Sequence, residues 1–455
     1  MKKYLSLLVC FFLLFFISCS NETLQLNHEN CQEFCEECEE CIECEKCEAC
    51  VKCEKCEICE ECEKCEVCEE CPICPELPTE DKKEPVVLGI DRIDEYLDWF
   101  EGKRVGLITN PTGINSNYES SIDVLFEKVN LVSLFAPEHG IRGSADAGAT
   151  VGNEVDPVTK LPVYSLYGST QKPTKAMMDT IDVMCIDIQD VGARFYTYIY
   201  TMAYAMEACR DYGKRFIVFD RPNPVSGDIV EGNILDMNYS SFIGKYPLVQ
   251  RHGMTIGEIA RYFAMVQGLN CELKIVKMKN WNRSYYFEDC NLPWVLPSPN
   301  MPTVDTAVVY TGTCIFEGTN LSEGRGTTRP FELIGAPFID SVKWAKELNA
   351  LGLDGVVFRP ASFTPSTSKF SGQICYGVQV HVTDRKIFDA VKTGWAMLDV
   401  VRDLYPNKIT YTSTINLITG CSYFRSDKYT LEEYFNIIEE DTKEFLDIRK
   451  NCLLY

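Results

Sequence analysis

VMCIDIQDVGAR, residues 183–194, is an apolar run that stops abruptly in polar, glycine-bearing sequence. Val183–Ile188 reads as a strand, and Gln189, Asp190, Val191, Gly192, Ala193 and Arg194 read as the loop at its carboxyl end. The same signature occurs three more times. RVGLIT (Arg104–Thr109) stops at Asn110-Pro111, LVSLFA (Leu131–Ala136) at Pro137-Glu138-His139-Gly140, and RFIVF (Arg215–Phe219) at Asp220-Arg221-Pro222-Asn223-Pro224. Between these runs, Ser120–Val129 and Tyr196–Tyr212 carry helical periodicity. Continuous apolar strands separated by helices predict an α/β fold with a parallel sheet covered on both faces.

Ligands of open α/β sheets bind outside the carboxyl ends of the strands. The four loops should therefore converge on one crevice and supply Asn110, Glu138, His139, Arg142, Gln189, Asp190, Arg194, Asp220, Arg221 and Asn223. Each has a purely architectural alternative: Asp220-Arg221 as a loop ion pair, Asn223-Pro224 as a turn. Past Pro297–Pro302, which reads as a linker, residues 317–327 place three glycines among hydroxyls and charges. That composition suits a loop whose backbone approaches a ligand, and equally a tight turn. It carries Glu317, Asn320, Glu323 and Arg325. Helical or strand-like stretches at Ser341–Leu351, Tyr376–Val382, Lys386–Leu404 and Thr430–Glu439 suffice for a smaller α+β domain.

The sequence has no G-x-S-x-G elbow, no Walker A loop, and no G-x-G-x-x-G after the first strand. Neither H-E-x-x-H nor another zinc pattern uses its four histidines. The eight cysteines beyond residue 85 lack Cys-x-x-Cys pairing and read as core residues. No metal or cofactor is expected. What remains is a set of carboxylates, amides and aromatics such as sugar sites use, with Tyr196, Tyr198, Tyr200 and Trp294 as possible platforms.

The N-terminal fifth is different. Of the 455 residues, 29–84 carry 21 acidic and 6 basic side chains (−15), against −9 for 85–455 and +1 for 1–28, which sums to −23. Acidity of this order argues against a nucleic-acid partner. Lys2 and Lys3 precede an apolar run, Leu5–Ile17, too short to span a bilayer comfortably and suited to a secretory signal. It ends in Phe16-Ile17-Ser18-Cys19, which resembles a lipobox with Phe16 in place of the usual Leu. Residues 1–18 thus read as a lipoprotein signal and Cys19 as the lipid attachment, anchoring the chain to a membrane of the bacterial envelope. From Cys35 to Cys74 a cysteine falls at every third position, with Glu in most gaps. Residues 19–84 read as a low-complexity spacer; metal sequestration and disulfide cross-linking are the other readings of the ladder.

Six segments of the folded part resemble the exo-β-N-acetylmuramidase family (NamZ-like): VGLITNPTG (105–113), FAPEHGIRG (135–143), DIQDVGARFYTY (187–198), FDRPNP (219–224), PSPNMPTVD (297–305) and FEGTNLSEGRGTT (316–328). The resemblance implies a Rossmann-like catalytic domain, here 85–302, and a smaller C-terminal domain, 303–455, with the active site in the cleft between them. It implies release of N-acetylmuramic acid (MurNAc) from non-reducing ends of peptidoglycan fragments, MurNAc-GlcNAc saccharides being the ligands. The family's proposed catalytic glutamate falls on Glu138, a carboxyl at a strand end that suits a general acid, with His139 to orient it or touch substrate. For the second group Glu323, Asp190, Asp187 and Glu317 remain open, as does the substrate's own acetamido group. Arg142, Arg194 and Arg325 are candidates to hold the lactyl carboxylate of muramic acid bidentately. The competing reading is a muropeptide-binding lipoprotein that keeps the cleft without catalysis.

Overall fold

Seven strands form the main sheet: β1 (Val105–Thr109), β2 (Leu131–Ala136), β3 (Glu154–Val155), β4 (Pro162–Ser165), β5 (Val183–Asp187), β6 (Arg215–Phe219) and β7 (Glu272–Val276). The structure, a computed structural model, describes residues 84–142, 154–426 and 428–455. The signal over 1–18, Cys19, the Cys/Glu spacer up to residue 83, and Gly143 lie outside the described residues. The strand order is β3-β4-β2-β1-β5-β6-β7, and every pair is parallel except β3–β4.

The four expected strands occupy the middle of this sheet, and their apolar runs are continuous because both faces are covered. Val105, Leu107, Val183, Cys185, Ile217 and Phe219 face one hydrophobic cluster. The alternate residues Ile108, Met184, Ile186, Phe216 and Val218 face the other. Helix α1 (Ser121–Lys128), capped by the Ser120 hydroxyl, puts Ile122, Val124 and Leu125 into the first cluster. After the single turn α2 (Lys175–Met178), α3 (Tyr198–Asp211) and α4 (Ile256–Met265) cover the second. Ten of the 14 residues of α3 are buried, so it is a core helix rather than an amphipathic one. A capping box starts α4: the Thr255 hydroxyl accepts from the Glu258 N–H, and the Glu258 carboxylate accepts from the Thr255 N–H.

The second half comprises α5 (Val304–Thr313), β8 (Leu333–Ala336), α6 (Ser341–Ala350), β9 (Val356–Phe363), β10 (Cys375–Val382), α7 (Ala390–Leu404), α8 (Thr414–Thr419) and α9 (Leu431–Arg449). Its antiparallel sheet has the order β8-β10-β9. The helix expected from Lys386 begins only at Ala390, where the Asp389 carboxylate caps it. The protein is thus a mixed α/β fold, with a mostly parallel sheet followed by a smaller antiparallel one.

Pro297–Pro302 is not a free linker. Met301 is buried, and the Pro297 carbonyl accepts from the Tyr198 hydroxyl at 2.5 Å. One hydrophobic cluster runs from Tyr198 and Phe216 through Tyr310 to Trp344 and Trp395, and the described residues form one compact unit.

Helices α5 and α7 cross through Gly312 and Gly394; a methyl on Gly394 would lie 2.2 Å from the Gly312 carbonyl oxygen. Gly394→Ala should therefore destabilise the fold by about 1–3 kcal/mol through overpacking, read as a lowered Tm in thermal melts; an unchanged Tm would contradict this crossing.

Candidate active site

The site is built on the carboxyl ends of four adjacent strands, β2-β1-β5-β6. Asp187 closes β5, and its carboxylate accepts from Arg221 Nε at 2.5 Å and Nη2 at 2.8 Å, and from the Ser121 hydroxyl. Arg221 Nη2 also donates to the Ile114 carbonyl at 2.6 Å, and the Thr109 hydroxyl donates to the Asp187 carbonyl at 2.8 Å. Asp187 and Arg221, expected among substrate-binding residues, instead form a buried ion pair that knots three strand ends together.

Several other expected ligands are likewise engaged by the protein itself. Asp220 is fully buried; its carboxylate accepts from the Gly257 N–H (2.7 Å), the Thr255 hydroxyl (2.8 Å) and the Tyr455 hydroxyl (2.7 Å), which anchors the start of α4. Asn223 accepts from Val225 N–H and donates to the Met254 carbonyl, the turn alternative. Arg194 is fully buried, its guanidinium donating to the carbonyls of Asn233, Leu248 and Ile418. Arg142 is bound through Nε and Nη2 to Asp156 at 2.6 and 3.1 Å. Asn320 pairs with the backbone of Lys408 and Thr410. Apart from the Val225 N–H on Asn223, these partners lie at least 14 positions away in the chain, which a linear sequence does not display.

A second group keeps its chemistry available. Glu138 is half-buried and accepts from the Thr197 hydroxyl at 3.1 Å. The Tyr167 hydroxyl also faces it, and burial together with the Glu138 charge pushes that phenol up to about 12. His139 sits in the left-handed region (φ 74°), a conformation that swings its side chain out of the strand direction. Burial pushes its imidazole below the ordinary value; the Glu138 carboxylate opposes this and Arg325 adds to it. Three buried polar atoms without a partner among the described residues lie in these loops, His139 Nδ1, Gln189 Oε1 and Asp190 Oδ1, whereas the Tyr196 hydroxyl faces Ser298 and Tyr198, and the Asn110 side chain faces the Tyr198 hydroxyl. Unpaired buried groups are costly and rare, so several at one strand-end crevice mark a place where a polar ligand completes the set.

The glycine-rich loop closes the other side. Arg325 donates through Nε to Glu317 Oε1 at 2.8 Å and through Nη2 to the same oxygen. Burial works against its charge, but Glu317, Tyr310 and Glu323 together keep the guanidinium firmly protonated. Glu323 is buried between Lys369 Nζ (2.9 Å) and Arg325 Nε (3.6 Å), so this carboxylate, expected to be catalytic, fastens the loop. An aromatic series joins the two halves: Tyr198 to Tyr196 (5.0 Å between centroids), Tyr196 to Tyr310 (6.0 Å), Tyr310 to Phe331 (4.7 Å), and Arg325 over Phe331 (5.1 Å). Tyr196 and Tyr198 thus pack between the two halves; Tyr200 is buried in the same hydrophobic cluster and Trp294 packs against it.

Two family models cover this architecture: the N-terminal domain of the exo-β-N-acetylmuramidase NamZ matches residues 105–305, and its C-terminal domain matches 308–455. The chain belongs to this family. It is 50% identical over 382 residues to the peptidoglycan β-N-acetylmuramidase NamZ of Bacillus subtilis, covering 82% of this chain and 92% of that protein. Two crystal structures of DUF1343 family proteins from Bacteroides fragilis have the same fold. One has a TM-score of 0.77 at 37% identity and the other 0.67 at 31%, each covering 82% of this chain and 99% of its own.

In this NamZ-family chain, one site residue escapes sequence reasoning. His252 is fully buried, and its Nε2 lies 3.7 Å from Asp190 Oδ2. A lone histidine 62 positions after Asp190 carries no local signal. The antiparallel bridge between Ala193 and Arg251 brings the two loops together.

Burial holds the Asp220 carboxyl up at about 7, against an ordinary 3.8, with the Gly257, Thr255 and Tyr455 donors opposing. Its folded value exceeds its unfolded one, so its contribution to stability is complete below about pH 4 and is lost as pH rises through 7. Relative to Asp220→Asn, the wild type should therefore lose stability between pH 4 and 7 in urea melts; a pH-independent difference would contradict this.

Proposed function

We propose that this chain is an exo-acting β-N-acetylmuramidase in which Glu138 is the general acid, releasing MurNAc from the non-reducing ends of peptidoglycan fragments. The observation that carries the assignment is the contrast among carboxylates at the crevice. Asp187 is ion-paired to Arg221, Glu317 to Arg325, and Glu323 to Lys369. Glu138 has neutral hydroxyl partners, those of Thr197 and Tyr167, and is half-buried, whereas Asp190, also without a lysine or arginine in ion-pair range among the described residues, is buried. A carboxyl committed to an ion pair is tied to its cation, whereas one bonded to hydroxyls can exchange them for a substrate oxygen. Protonation of the glycosidic oxygen is the step such a group serves.

Substrate class follows from what distinguishes muramic acid, its lactyl carboxylate. Of the three arginines expected to bind it, Arg142 is bound to Asp156 and Arg194 to three carbonyls. Arg325 uses Nε and Nη2 on Glu317, which leaves Nη1 for a ligand. It lies within electrostatic range of His139 and hence of the Glu138 loop. Gln189 supplies an unpartnered acceptor for a sugar hydroxyl, Asn110 and Tyr196 further polar groups beside it, and the Tyr196 ring an apolar face. Residues 1–19 support export and attachment through Cys19 to an envelope membrane, with the cysteine ladder as spacer, so that the domain meets wall fragments outside the cytoplasm.

Glu138→Gln should keep the fold and lower kcat about 10²- to 10⁴-fold on MurNAc-(β1,4)-GlcNAc, with release of MurNAc followed by mass spectrometry. Full turnover by the variant would remove the acid from Glu138. If parent and variant both bind the disaccharide and neither releases sugar, the non-catalytic binding reading replaces this one.

A further inference from the structure

Asp190 and His252 form a buried pair that the acid Glu138 does not account for. Asp190 is 6% exposed and His252 0%. One Asp190 oxygen, Oδ2, accepts from the Gly192 N–H at 2.7 Å, which fixes the carboxylate plane. His252 Nδ1 accepts from the Met254 N–H at 3.2 Å, so the ring proton sits on Nε2 and points toward Oδ2, 3.7 Å away. Nε2 and Asp190 Oδ1 both lack a hydrogen-bond partner among the described residues. Asp190 therefore faces the His252 ring nitrogen at 3.7 Å, just beyond hydrogen-bond distance, has no lysine or arginine in ion-pair range among the described residues, and keeps one acceptor without a partner. That acceptor belongs to the loop of Tyr196, whose hydroxyl lies in the electrostatic field of both Asp190 and Glu138.

We infer that Asp190 is the second catalytic group, accepting the N–H of the substrate's own 2-acetamido group through Oδ1, and that His252 is its positioning residue. The inference rests on the muramidase reading above. In the first step the acetamido carbonyl oxygen bonds to the anomeric carbon as the bond from that carbon to the leaving sugar oxygen breaks. Glu138 gives its proton to the leaving oxygen, and Asp190 takes the amide proton, leaving a neutral oxazoline. In the second, water adds to the anomeric carbon, Glu138 takes a proton from it, and Asp190 returns its proton to the nitrogen as the ring opens. The sum is one water added across one glycosidic bond, with both carboxyl groups restored.

The test begins with the wild-type full chain and aryl β-MurNAc glycosides bearing N-acetyl, N-fluoroacetyl, N-difluoroacetyl and N-trifluoroacetyl groups. If the acetamido oxygen is the nucleophile, kcat falls with each added fluorine; a flat series overturns the inference. So does trapping of a covalent glycosyl–carboxylate adduct, and either result leaves the muramidase reading intact. Failure of the wild type to release sugar from the N-acetyl compound and from MurNAc-GlcNAc would defeat that reading itself. Two variants separate positioning from packing. His252→Asn keeps an acceptor for the Met254 N–H and removes the N–H facing Asp190, and should lower kcat about 10- to 100-fold with KM little changed, the worth of one hydrogen bond to a charged group. His252→Gln restores an N–H at that position and should recover kcat; equal loss in both folded variants, or loss in KM alone, overturns the role of His252.

Discussion

The buried pair Asp187–Arg221 is the constraint on which the rest of the architecture depends. A parallel sheet directs all its carboxyl ends to one side, where loops diverge and backbone pairing stops. In this chain a single carboxylate at the end of β5 gathers Arg221 from beyond β6 and Ser121 from the start of α1. Its own carbonyl takes the Thr109 hydroxyl from the end of β1. With side-chain exposures of 0% and 5%, loss of one partner would leave a bare charge in the core, a cost of about 3–5 kcal/mol. That penalty fixes the spacing of the loops carrying Asn110, Gln189 and Asp190.

Around this knot, the polar groups divide into two kinds. Those that hold the fold are saturated: Asp187 by Arg221 and Ser121, Asp220 by three donors, Glu323 by Lys369 and Arg325. Those in the strand-end loops retain an unused atom, as do His139, Gln189 and Asp190. The distinction gives the site both stiffness and appetite: saturated neighbours prevent the loops from collapsing onto the unsaturated ones, and a polar ligand supplies what is missing. The aromatic series from Tyr198 to Phe331 continues this stiffness into the second half, so the glycine-rich loop approaches from a wall that shares the same core.

Much of this was legible in the sequence, for definable reasons. The four central strands are apolar throughout because both faces are buried, and such runs stand out. Strands β4 and β7 were not found: PVYS is four residues long, and ELKIV alternates charge with apolar residues while only Val276 is buried. The strand-end loops were recognisable as a set, and family resemblance pointed to Glu138 among them. Sequence could not show which polar residues are consumed internally, since the partners of Arg194 lie up to 224 positions away. Nor could it reveal His252, which depends on the pairing of Ala193 with Arg251.

The most direct measurement of the central claim is a crystal structure of the Glu138→Gln chain with intact MurNAc-(β1,4)-GlcNAc. The account predicts the side chain of residue 138 within about 2.6–3.2 Å of the glycosidic oxygen, with MurNAc seated against Tyr196 and its lactyl carboxylate toward Arg325. A disaccharide bound away from the carboxyl ends of β1, β2 and β5, or one whose glycosidic oxygen faces another carboxyl group, would contradict it.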